Sequence, residues 1–162
     1  SEETWVEGCS YEDVATTSNA AYTEYVALLA KIRQKGGEVI AQARKGVGLS
    51  IVLAGRPYPL NNEINHGIDT LIAGQGAAVI SEDAISHLVE KAPTSVLNQW
   101  TYHARLYAAA RHIGSQPDMN LVQLVSFGCG LDAVTTDEVR ELALIHLRRC
   151  RRTTPSRAPW AA

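Results

Sequence analysis

LVQLVSFGCGLDAVTTDEV, residues 121–139, begins with an apolar, β-branched run (121–125) of the length of a buried strand. It breaks at Gly128-Cys129-Gly130 and restarts as a predicted helix at Thr135 or Thr136. Open α/β sheets carry their chemistry outside the carboxyl ends of the strands, and there this run delivers one thiol between two glycines. Gly128 and Gly130 let a bulky group approach the Cys129 sulfur, while the amides of the loop and helix start favour negative charge.

Working outward, residues 49–54 (LSIVLA) and 77–80 (AAVI) read as two further short strands. The first ends in Gly55-Arg56-Pro57-Tyr58-Pro59, whose prolines forbid a helix. Ser10 to Asp13 has the spacing of a capping box for a short helix. Apolar positions from residue 19 to 45 follow helical spacing, and Gly36-Gly37, costing about 2 kcal/mol against alanine, predict a kink or break there. Asn62 or Asn65 caps a short helix over Ile68, Leu71 and Ile72. Ser81-Glu82-Asp83 caps another over residues 84–89. Residues 98–113 predict an amphipathic helix, with Trp100, Tyr102, His103 and Tyr107 read as its packed face, and the last helix runs from about 135 to 147. Strands alternating with helices predict a three-layer, Rossmann-like α/β module: a short parallel sheet flanked by helices. Parallel strands end on one edge, which brings the Arg56 loop and the Cys129 loop together.

The 162 residues suffice for one domain, and 46% hydrophobic with 20% charged residues is ordinary globular composition. Net charge is -2; setting aside the five arginines among residues 148–162 leaves 10 basic against 17 acidic groups, about -7. An acidic body speaks against nucleic acid, and no apolar run reaches the roughly 20 residues of a membrane span. Three cysteines, Cys9, Cys129 and Cys150, make no disulfide framework, so a reducing, cytoplasmic compartment is expected. Residues 1–147 read as a single module cut from a longer protein, and 148–162 as a solvated or non-native tail.

Two motifs extend this reading. VLAGRPYPLNNEINHGI (52–68) and LVQLVSFGCGLDAVTTDEV resemble the acyl-CoA dehydratase activase-related proteins, also called CoA-substrate-specific enzyme activases, and NQWTYHARLYAAA (98–110) resembles the segment between them. The likeness covers residues 22–147. It implies one module of a multidomain protein that joins ATPase modules, like the activators of 2-hydroxyglutaryl-CoA dehydratase, to regions resembling dehydratase subunits with [4Fe-4S] clusters. As implied partners stand the other domains of that protein and a CoA-thioester dehydratase or reductase. The implied role is to help bind a cluster in ATP-driven, low-potential electron transfer. Where the family loop reads GRPYH and then Asp-Pro, this chain has Pro59, Asn61 and Asn62, so a histidine is missing there while His66 remains.

The candidate site therefore comprises Cys129 as metal ligand, with Arg56, Tyr58, His66, Gly128 and Gly130 around the cofactor. Each has a plainer reading: Cys129 a small buried residue, Arg56 paired with Glu63, Tyr58 packing its loop, His66 bonded to a helix-end carbonyl, Asp132 bonded to nearby amides. One thiolate cannot hold a cubane, so other ligands are expected outside the chain, and the isolated module is not expected to bind a cluster stably. No nucleotide fingerprint or catalytic constellation is present, and the rivals are an anion or CoA-phosphate module without metal, or a docking domain.

Overall fold

A computed structural model describes residues 8–46, 48–56, 61, 63–90, 94–95, 98–125 and 128–150, with side chains to residue 143. In chain order come α1 (Tyr11–Lys45), β1 (Ser50–Ala54), α2 (Ile68–Gly74), β2 (Ala78–Ser81), 3-10 turns at Glu82–Ala84 and Ser86–Leu88, α3 (Thr101–Ile113), β3 (Met119–Gln123) and α4 (Gly130–Cys150). The three strands form a parallel sheet in the order β2-β1-β3, flanked by helices, as the strand–helix alternation predicts. Strand β1 lies in the middle because it is apolar on both faces: Val52, Leu53 and Ala54 are all buried. It pairs Ser50 with Ala78 on one side and with Met119 on the other.

Helix α1 departs from expectation. The capping box exists, with Ser10 Oγ accepting from the Asp13 amide at 3.2 Å and the Asp13 carboxylate accepting from the Ser10 amide at 3.0 Å. It opens the long helix itself rather than a separate short one. The predicted break at Gly36-Gly37 does not occur, and the helix runs on to Lys45. Packing is the reason: a Cβ built on Gly36 would stand 2.5 Å from the Ala84 Cβ, so glycine lets the helix close on the first 3-10 turn. Gly36→Ala is therefore expected to destabilise the fold by about 1–3 kcal/mol, because the clash outweighs the gain of up to about 1 kcal/mol in helix propensity. Urea unfolding of the two chains measures the difference. At its other end α1 is tied to the start of β3 by Arg44 Nε, 2.6 Å from Asp118 Oδ2.

Smaller shifts follow local chemistry. Strand β3 starts two residues earlier than its apolar run and stops at Gln123, because its pairing partner ends at Ala54. Residues 84–89 form no α-helix but part of two 3-10 turns. Helix α2 is entered through Gly67, whose amide donates to Asn65 Oδ1 at 2.8 Å. Helix α3 begins at Thr101 after Trp100. Helix α4 starts at Gly130, five residues ahead of Thr135; the hydroxyls of Thr135 and Thr136 bond back to the carbonyls of Leu131 and Asp132 at 2.8 and 2.7 Å. These threonines lie within the helix rather than capping it.

Two apolar clusters hold the domain together. One joins Val52, Ile80, Ile85, Ala109, Ile113 and Met119, with Ile32, Val39 and Ile40 of α1 packed against it. The other joins Ala54 to Leu106, Tyr107 and Ala110 of α3 and to Val139 and Leu142 of α4. The second fixes the site, since it clamps the middles of α3 and α4 beside the end of β1. Helix α4 runs three residues into the predicted 148–162 tail, and residues 151–162 lie outside the described residues.

Candidate functional site at the carboxyl edge of the sheet

Strands β1 and β3 are parallel neighbours, so the chain leaves both at one edge. Arg56 stands two residues past β1, and Cys129 immediately precedes α4. Arg56 Nη2 donates to Cys129 Sγ at 2.9 Å, and Arg56 Nε donates to Asp132 Oδ1 at 3.1 Å. The two loops thus meet through one guanidinium whose planar fork bridges a sulfur and a carboxylate. Asp132 is only 10% exposed and sits in the first turn of α4, where the helix dipole favours its charge. Arg56 is not paired with Glu63, which is exposed. The partner lies 76 residues away and is reached through the fold.

His103, read from sequence as part of a packed face, occupies the first turn of α3, beside the first turn of α4. It is 6% exposed. Its ring meets that of Trp100 in a T-shaped contact at a centroid distance of 6.0 Å, and among the described residues its Nδ1 has no hydrogen-bond partner. Burial lowers its pKa, the Arg56 charge lowers it further, and Asp132 partly opposes both. The imidazole is consequently neutral near pH 7. Its position in the first turn of a helix that begins at the sheet's carboxyl edge is the sequence feature that could have singled it out.

The remaining predicted residues divide. Gly128 has a left-handed backbone (φ 79), a conformation that favours glycine, and among the described residues a Cβ on either Gly128 or Gly130 would meet nothing within 4 Å. Cys129, half-buried, thus stands between two glycines that no described residue beyond their neighbours crowds. His66 is exposed in the turn before α2 with φ 55, and Tyr58 lies outside the described residues.

A second buried ionic pair was not anticipated. Glu82 is fully buried after β2 and accepts from Arg105 Nη2 at 2.9 Å. Burial raises its pKa to about 7 against the pull of Arg105. Arg105 also lies over the Tyr102 ring at 5.0 Å. A cavity of about 490 Å³ that includes Arg33, His87, Trp100 and Arg105 in its wall is separate in its lining from Arg56 and Cys129.

For an iron–sulfur cluster the donor set fits one corner and no more. Cys129 offers a soft sulfur between two glycines, and a guanidinium beside it balances negative charge. Among the described residues no three His, Cys, Asp or Glu side chains come together as a metal ligand set. Nor is any described helix long and apolar enough to cross a membrane.

The profile of one known family, the CoA enzyme activase uncharacterised domain (DUF2229), matches residues 2–85, which contain α1, β1, α2, β2 and Arg56 and stop short of Cys129. No curated protein and no solved structure matches the chain. The family match takes in 84 of the 162 residues, and the chain belongs to the CoA enzyme activase uncharacterised domain family.

Proposed function

We propose that this domain is one module of a longer activase-like protein and contributes Cys129 as a single ligand to an iron–sulfur centre used in ATP-driven, low-potential electron transfer. The observation that carries the reading is the Arg56 guanidinium donating to the Cys129 sulfur, which stands between two glycines that no described residue crowds. A cluster held there would supply one-electron transfer. Cys129 would hold one iron. Arg56 donates to the sulfur and offsets the charge of an anionic thiolate cluster. Asp132 holds Arg56 in place, and neutral His103 adds no opposing charge. The other ligands and the ATPase belong to further parts of the longer protein, and a CoA-thioester dehydratase or reductase, in a reducing cytoplasm, is the acceptor.

The rival reading, an anion or CoA-phosphate site on Arg56, is less well supported because its fork is already engaged by Asp132 and Cys129. Anaerobic reconstitution of the longer protein with iron and sulfide, followed by low-temperature EPR of the dithionite-reduced sample, tests the proposal. The wild type is expected to give a cluster signal that Cys129→Ala loses or alters in its g values. An identical spectrum from the variant refutes the ligand assignment.

A further inference from the structure

The seam by which α1 packs on the domain continues well past the domain's edge. Ile32, Gly36, Val39 and Ala43, spaced alternately four and three residues apart, are the positions α1 turns toward the body: Gly36 and Ala43 are buried, and Ile32 and Val39 pack on the first core cluster. The same spacing runs backwards through Leu29, Tyr25, Tyr22, Ser18, Ala15 and Tyr11, the heptad pattern of a coiled-coil seam. Here its middle is bare within the described chain: Tyr22 is 71% exposed, Val26 65% and Tyr25 47%, while Leu29 is half-buried where the seam reaches the domain. Residues 11–30 span about 30 Å of helix, and a helix of that length without tertiary packing is marginal in water even when capped.

Charge identifies the occupant. Residues 11–30 carry Glu12, Asp13 and Glu24 and no base, whereas Lys31, Arg33 and Lys35 follow at the domain edge. Such a helix is complementary to itself when reversed. We infer that two copies of this chain pair antiparallel along the exposed half of α1, each laying its Tyr22-Tyr25 seam on the other. The acidic end of one helix then runs beside Lys31 and Arg33 of its partner, an isologous contact that closes as a two-fold dimer.

Sedimentation equilibrium of the 162-residue chain reads the outcome. Twice the chain mass is expected, with Tyr22→Glu/Tyr25→Glu monomeric. Both changes are on exposed positions, so the unfolding midpoint of the domain body reports whether the variant still folds. Glu12→Lys is expected to weaken self-association by about tenfold or more, a loss of at least ~1.4 kcal/mol. Mixing Glu12→Lys/Glu24→Lys chains with Lys31→Glu/Arg33→Glu chains should restore dimers as heterodimers. A monomer at all concentrations overturns the inference and leaves the seam to a segment of the longer protein. A dimer indifferent to the tyrosine changes, or to charge reversal, overturns it as well.

Discussion

Replacing Arg105 by alanine is expected to cost about 3–5 kcal/mol at pH 8, the penalty for leaving a buried charge without its partner. Glu82 is the charge in question: it is fully buried, and among the described residues one of its oxygens, Oε2, has no hydrogen-bond partner even with Arg105 in place. The effect must depend on pH. In the folded chain Glu82 holds its proton up to about pH 7, against an ordinary value of 4.5. A folded-state pKa above the unfolded one means that this carboxyl's contribution to stability is fully present below about pH 4.5 and is lost as pH rises through 7. That span corresponds to about 3 kcal/mol, from roughly 1.4 kcal/mol per pH unit. The Arg105→Ala deficit should therefore shrink markedly at pH 5, where Glu82 can protonate. Glu82→Gln should remove this group's share of the wild-type loss of stability between pH 5 and 8. Guanidinium unfolding at the two pH values gives both numbers, and a pH-independent Arg105→Ala deficit would show that the buried carboxylate is not its origin.

The second large effect is expected at the sheet edge. Asp132→Ala removes the anion that holds Arg56 and the acidic group in the first turn of α4. The part-buried charge-assisted bond is worth about 1.5–3 kcal/mol and the dipole interaction a few tenths to one, so about 2–3 kcal/mol should be lost. The consequence for function is more diagnostic. Without Asp132 the guanidinium loses the carboxylate that its Nε donates to, and its donation to Cys129 should become less well defined. Cluster content of the longer protein should then fall in Asp132→Ala and be largely retained in Asp132→Asn, whose side-chain oxygen still accepts from Arg56. Equal content in both variants would mean that the Arg56 anchor does not matter for the sulfur.

Much of this arrangement could be read from residues alone. The three apolar runs became the three strands, and because β1 and β3 are parallel the Arg56 and Cys129 loops had to leave at one edge. What the sequence concealed was tertiary in origin. Gly36-Gly37 looks like a helix breaker locally, yet Gly36 is required where α1 lies against Ala84. Asp132 reads as a turn or cap residue until the sheet brings Arg56 to it, whereas Glu63, the nearer acid in sequence, is exposed. The Glu82–Arg105 pair joins residues 23 apart on a turn and a helix, with no periodic signal linking them. His103 falls on an apolar helix face, where a histidine reads as packing. Only its burial beside the charges of Arg56 and Asp132 draws it into the edge group.

Iron bound per chain after anaerobic reconstitution of the longer protein tests the central claim most directly, with Cys9→Ala as the control because Cys9 is an exposed thiol distant in sequence from the edge. Wild type and Cys9→Ala should take up the same iron, and Cys129→Ala clearly less. Equal iron in all three proteins would contradict the assignment of Cys129 as a cluster ligand.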